Sequence, residues 1–185
     1  MAEDWSIQEL VSAGWTPADL DWERQCEAAV ARAAEGDMAG ARAAAGEGLK
    51  IARDRFQDGD PRLGTALANY AWTLAETGDE TSAGALLAEA RQQWSSSGPW
   101  IAAMSAPRVA RSSLFHMRME QRHRGVYEDR WREEWSKLAE EARSRLQQPG
   151  EVKPAAALER WKKSRPAMLN DTRKLMAAAV LLLTR

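Results

Sequence analysis

The sequence predicts an all-α protein, on three observations. Its 185 residues include 35 Ala and 17 Leu but only 6 Val and 3 Ile; Ala and Leu lose least on entering a helix, whereas a sheet selects β-branched residues. Helix start and stop signals recur along the whole chain. Two Gly-Asp steps, Gly36-Asp37 and Gly78-Asp79, stand 42 residues apart, each between two helical segments. Antiparallel helix pairs at a fixed period are the signature of an α-solenoid. The length suits one domain with room for a core.

The elements follow from their punctuation. Ser6 with Glu9 three residues later has the form of a capping box, and Gly14 can close that short N-terminal helix. Thr16-Pro17-Ala18-Asp19 opens a second, with a hydroxyl cap, a proline at the first helical position and an acid at N3. It runs to Glu35, where Gly36 stops it and Asp37 caps a third helix that carries Leu49, Ile51 and Phe56 toward its end. Asp60-Pro61 starts a fourth, ending at Thr77; Gly78 stops it and Asp79 caps a fifth, which reaches Trp94. Residues 95–99, Ser-Ser-Ser-Gly-Pro, read as a loop. Ser105-Ala106-Pro107 opens a helix through His123, closed by Gly125. Tyr127, Trp131, Trp135, Leu138, Ala142 and Leu146 then form one apolar stripe on a charged helix, with Glu134–Lys137 and Glu141–Arg145 at salt-bridging offsets. Pro149-Gly150 breaks the pattern. Pro154 starts a short helix to Lys163, and Pro166 another over 167–184.

Superposing the two Gly-Asp units pairs Ala29 with Ala71, Ala41 with Ala83 and Gly48 with Ala90. Small residues at matched places let neighbouring helices approach closely. The stretch 48–90, GLKIARDRFQDGDPRLGTALANYAWTLAETGDETSAGALLAEA, resembles tetratricopeptide repeats, in particular the 42-residue variety of kinesin light chains. That family's pattern is met by Ala71, Gly78-Asp79, Ala83, Leu87 and Ala90, with Asp60-Pro61 as the turn between repeats. A first repeat over 22–56 keeps Ala29, Gly36-Asp37, Ala41 and Gly48; it departs at Arg32, where an aromatic is usual, and at Ala45, where a large residue is usual. The clearest part of the second repeat spans 61–94. A degenerate third over 107–146 keeps the helix pair, but Arg118 falls on a small position and Gly125 lacks a following Asp. Terminal repeats are often atypical because one face meets water. The resemblance implies a right-handed α-solenoid of about three helix pairs over residues 1–148, with an extra N-terminal helix and a basic helical extension over 151–185.

Tetratricopeptide repeats hold a peptide or partner helix on the concave face of their first helices. Carried over by position, the resemblance implies a groove of Cys26, Glu27 and Val30, then Thr65, Asn69 and Trp72, then Phe115, His116, Met119, Arg122 and His123. Asn69 stands where the family often has an asparagine that hydrogen-bonds a peptide backbone, and an amide can donate and accept at once. The alternatives are a solvent-facing polar role for Asn69 and packing between repeats for Trp72. The family's clamp for acidic C-termini needs basic residues where this chain has Cys26 and Val30, so an acidic tail is not the expected ligand.

Other classes are disfavoured by the same sequence. A formal net charge of −1 gives no global footprint for nucleic acid. The single cysteine, Cys26, makes no internal disulfide or thiolate zinc cluster, and Glu23 and Glu27 beside it raise its pKa. The start of the chain lacks the basic and apolar regions of a signal peptide, and the longest apolar run, 175–183, is about half the ~20 residues of a membrane span. A cytoplasmic protein with no transmembrane segment is therefore expected. His116, Met117, Met119 and His123 invite a metal reading. However, the two histidines lie two helical turns apart, about 10 Å, which is too far for one ion without further ligands. No phosphate loop, HExxH or nucleophile elbow is present. Neither enzymatic activity nor a cofactor or metal is expected.

The last segment carries formal +5 over 151–185, against −6 over 1–150. Met168, Leu169, Leu175, Met176, Val180 and 181–183 offer more apolar surface than a free tail leaves in water; burying four large side chains contributes on the order of 6–10 kcal/mol before entropy. Leu175, Met176 and Leu182 are the docking residues expected of it. The tail either caps the repeats or lies in their acidic groove, or it anchors a partner, a second copy or an anionic membrane surface. Nine Trp exceed what a repeat scaffold needs, and Trp is enriched at interface hot spots. The expected function is non-enzymatic protein–protein interaction, as an adaptor, assembly factor or chaperone. The alternatives are a structural accessory subunit buried in a larger enzyme complex, or a secretion-type tetratricopeptide chaperone.

Overall fold

Each Gly-Asp step forms the same turn. Gly36 and Gly78 hold φ at +85° and +88°, a conformation that costs any residue with a Cβ. In the first turn the Gly36 amide donates to the Ala33 carbonyl (3.1 Å) and the Asp37 amide to the Arg32 carbonyl (2.9 Å). In the second, Gly78 donates to Ala75 (3.0 Å) and Asp79 to Leu74 (2.9 Å), the same bonds 42 positions on. The aspartates then cap the next helices, Asp37 accepting from the Gly40 amide at 2.8 Å and Asp79 from that of Ser82 at 3.2 Å. The sequence repeat is thus a repeat of backbone geometry.

The computed structural model describes residues 16–102, 125–126, 129, 132–133, 136–137, 139–147 and 153–164, and among them it is helical, with no strand. The helices are α1 (Pro17–Ala34), α2 (Met38–Arg55), α3 (Pro61–Glu76), α4 (Glu80–Ser96), the short α5 (Gly98–Ala102) and α6 (Pro154–Ser164). Residues 139–147 are helical as well. The first four pack in series, α1 on α2, α2 on α3 and α3 on α4. Ala29, Ala71, Ala41, Ala83, Gly48 and Ala90, the matched small positions, are all buried.

The core centres on α3. Only Arg62 and Glu76 in this helix are charged, and every residue from 61 to 69 is buried. Trp94 of α4 fits beside Gly64, where a Cβ would stand only 2.6 Å from the indole Cδ1, so glycine here serves close approach. Residues 139–147 lie against the end of α4: Ala139, Ala142 and Leu146 are buried, Arg91 Nε donates to the Leu146 carbonyl at 3.0 Å and Arg143 Nε to the Trp94 carbonyl at 3.2 Å. The pair Glu141–Arg145 forms as expected, and Lys137 pairs with Glu133 at 2.8 Å.

One expectation is corrected. Residues 95–99 are not a loop: α4 continues to Ser96, Ser97 is fully buried, and α5 follows from Gly98. The serine hydroxyls bond back to the helix itself, Ser95 to the Arg91 carbonyl (2.8 Å), Ser96 to Gln93 (3.0 Å) and Ser97 to Trp94 (2.7 Å). Ser96 and Ser97, read as breakers, instead satisfy carbonyls that the helix end leaves open, and Ser95 bonds back one turn within the helix. The expected helices over 6–14, 105–123 and 167–184, and Tyr127, Trp131, Glu134, Trp135 and Leu138, lie outside the described residues.

Candidate functional site

The candidate face is built on the first helices of the two repeats. On α1 the buried positions Asp19, Trp22, Glu23, Cys26, Ala29, Val30 and Ala33 recur at three- and four-residue steps, a single stripe. Trp22 meets Phe56 edge to face, with ring centroids 5.8 Å apart and planes at 73°, a geometry the ring quadrupoles favour.

Across this stripe runs a buried ionic cluster that the sequence did not signal. Arg62 is held by Asp60 (Nη2–Oδ2 2.6 Å, Nε–Oδ1 3.0 Å) and by Asp19, and its guanidinium lies 3.6 Å over the Phe56 ring. Asp19 also accepts from the Thr16 amide and hydroxyl, each at 2.8 Å, so one carboxylate closes a capping box and joins α1 to α3. Burial alone would raise the Asp19 carboxyl. The Thr16 amide, Arg62 and the Thr16 hydroxyl outweigh burial and hold it below its ordinary value of 3.8. Burial likewise disfavours a charged Arg62, and the Asp60 and Asp19 carboxylates more than offset it, raising its pKa. Asp60-Pro61 was legible as a helix start, but a partner 43 residues upstream leaves no local trace.

The expected groove residues divide. Val30 and Thr65 are fully buried, Asn69 is 3% exposed, and Cys26 is buried; Glu27 and Trp72 are half-buried. Trp72 packs against the main core, which joins Cys26 and Val30 to Ala139, Ala142, Leu146 and Ala157. The face expected to be open is thus largely closed, and α6 packs on α1. Burial, then Glu23, pushes the Cys26 thiol far up, so it is inert where it stands. Phe115, His116, Met119, Arg122 and His123, and the docking residues Leu175, Met176 and Leu182, lie outside the described residues.

Beside the start of α1 lies an open cleft of about 470 Å³, lined by Thr16, Asp21, Glu47, Lys50, Ile51 and Arg55 among others. Its charges are mixed, and it holds no buried polar group that would single out a ligand. Among the described residues no His, Cys, Asp and Glu cluster could hold a metal ion, and no helix is long and apolar enough to cross a membrane. Compared with family models, curated proteins and solved structures, the chain matches none.

Proposed function

We propose that this chain is a non-enzymatic interaction module of the tetratricopeptide kind, taking a partner helix or peptide on the face formed by α1 and α3. The observation that carries the reading is the duplicated turn. Hydrogen bonds, positive-φ glycines, aspartate caps and buried small residues all recur at an offset of 42. A periodic stack of helix pairs presents a continuous face of first helices, and that is what such stacks use to bind. Cys26, Val30, Thr65 and Asn69 form the floor of that face, with Glu27 and Trp72 at its accessible rim. A partner therefore engages the rim and replaces whatever part of the chain covers the floor. The working environment proposed is the cytoplasm, and the proposed job is adaptor, assembly factor or chaperone.

The test places photo-crosslinking residues at positions 27 and 72 in the full chain, identifies what they capture, and measures binding of that purified partner. Trp72→Ala is expected to weaken the complex about tenfold or more, as for an interface aromatic, with the melting temperature close to that of the parent. Capture from neither position, or a Trp72→Ala chain that loses thermal stability while binding the partner unchanged, would sink the reading.

A further inference from the structure

We propose that α6 is a displaceable occupant of the α1 face, an autoinhibitory contact, and that what replaces it is a partner helix of its own chemistry: basic, alanine-rich and amphipathic. The inference rests on reading the first-helix face as the binding face. Three observations carry it.

The first is position. α6 packs on α1, and its Ala157, fully buried, belongs to the same core as Cys26 and Val30, two floor positions of the face.

The second is charge. α1 carries Asp19, Asp21, Glu23 and Glu27 against Arg24 and Arg32, formally −2; α6 carries Arg160, Lys162 and Lys163 against Glu159, formally +2. Helices of opposite formal charge attract across the contact, and salt screens that attraction.

The third is how lightly the helix is held. Over residues 154–159, the described side chains of α6, Ala157 is fully buried and Pro154 and Leu158 are partly so, whereas Ala155, Ala156 and Glu159 are exposed. In α3, by contrast, every residue from 61 to 69 is buried. Opening free energy follows buried apolar area, so α6 separates from α1 well before the core opens. The sequence before it carries Pro149-Gly150, a pair that disfavours helix continuation.

The chain supplies its own reporter, because Cys26 is its single cysteine and is buried in this face. Segment-resolved hydrogen exchange on the unaltered full chain comes first. Amides of 154–164 are expected to exchange about tenfold or more faster than those of 61–76, by an opening that is nearly independent of urea. Maleimide labelling of Cys26 should quicken with added salt, and by about tenfold or more in Ala157→Glu, which buries a charge at the contact. A synthetic peptide of residues 153–164 (KPAAALERWKKS) added to Ala157→Glu should slow labelling again. Exchange of 154–164 together with 61–76, with one urea dependence, would overturn the proposal even if Ala157→Glu does not fold. So would Cys26 labelling unchanged by Ala157→Glu, or a peptide without effect. Each of these outcomes concerns α6 alone; failure of the module reading shows separately, at the crosslinks from positions 27 and 72.

Discussion

Arg62 is the residue that joins the starts of two helices 43 positions apart. It ties the cap of α1 to the cap of α3 through two buried carboxylates and stacks on Phe56, which in turn meets Trp22. Removing one partner of a buried ionic cluster leaves uncompensated charge, so Arg62→Ala should cost about 3–5 kcal/mol in urea unfolding, whereas an apolar replacement of similar length together with Asp19→Asn and Asp60→Asn should cost much less. Asp19 adds a pH signature. Its pKa is lowered by folding, so the unfolded chain takes up that proton first as the solution is acidified. The stability it contributes is complete above its ordinary value of 3.8 and is lost as pH falls through the lower folded value. Urea midpoints measured at about pH 7, 4 and 2.5 should fall in the acid range, and Asp19→Asn should flatten part of that fall. An unchanged slope in Asp19→Asn would show the cluster to be electrostatically idle.

Among the elements, the turns and the α3–α4 contact make different physical demands. A Cβ at Gly36 or Gly78 meets nothing within 4 Å, so the requirement there is backbone conformation alone, φ of +85° and +88°. Gly36→Ala and Gly78→Ala should each cost about 1–2 kcal/mol, with asparagine costing less at either position. Gly64 requires space instead. Trp94→Ala should cost about 3–5 kcal/mol. Gly64→Ala should destabilise the parent, where its Cβ meets the indole, and cost much less in a Trp94→Ala background, where the better helix propensity of alanine is set only against the Ala90 carbonyl oxygen 3.3 Å from the new Cβ. A double-mutant cycle followed by thermal unfolding measures this coupling, and additive effects would mean the two helices do not meet as described. The turns were readable because each is encoded locally: a proline in the first turn, an aspartate cap, a glycine stop. The serine run was misread for the same reason, since serine hydroxyls can end a helix or satisfy its last carbonyls, and only the buried Trp94 beside them decides which.

At the scale of the whole molecule, the organising feature is α3, buried over residues 61–69 and packed between α2 and α4, with residues 139–147 returning to α4 and α6 returning to α1. Light scattering on the full chain and on a chain ending at Gln148 tests what that return contributes. If α6 lies on its own α1, both should be monomers at the same concentration, with the shorter chain melting somewhat lower and its Cys26 labelling faster. A full chain that is dimeric where the shorter one is monomeric would instead assign the last segment to self-association, the other role its basic, leucine-rich sequence suggested.

The sequence by itself determined the all-helical class, the starts of α1 to α4, the stops of α1 and α3, the start of α6 and the 42-residue period, because caps, proline positions and glycine stops act within a few residues along the chain. It also placed Ala142 and Leu146 on a buried stripe. Only the tertiary structure decided that Val30, Thr65 and Asn69 are interior positions, that Asp19, Asp60 and Arg62 form one cluster, and that α6 lies on α1. Those outcomes depend on which faces meet across tens of residues, and the hydrophobic effect that drives them is non-directional. A sequence pattern therefore says that a face will be covered and leaves to the fold what covers it.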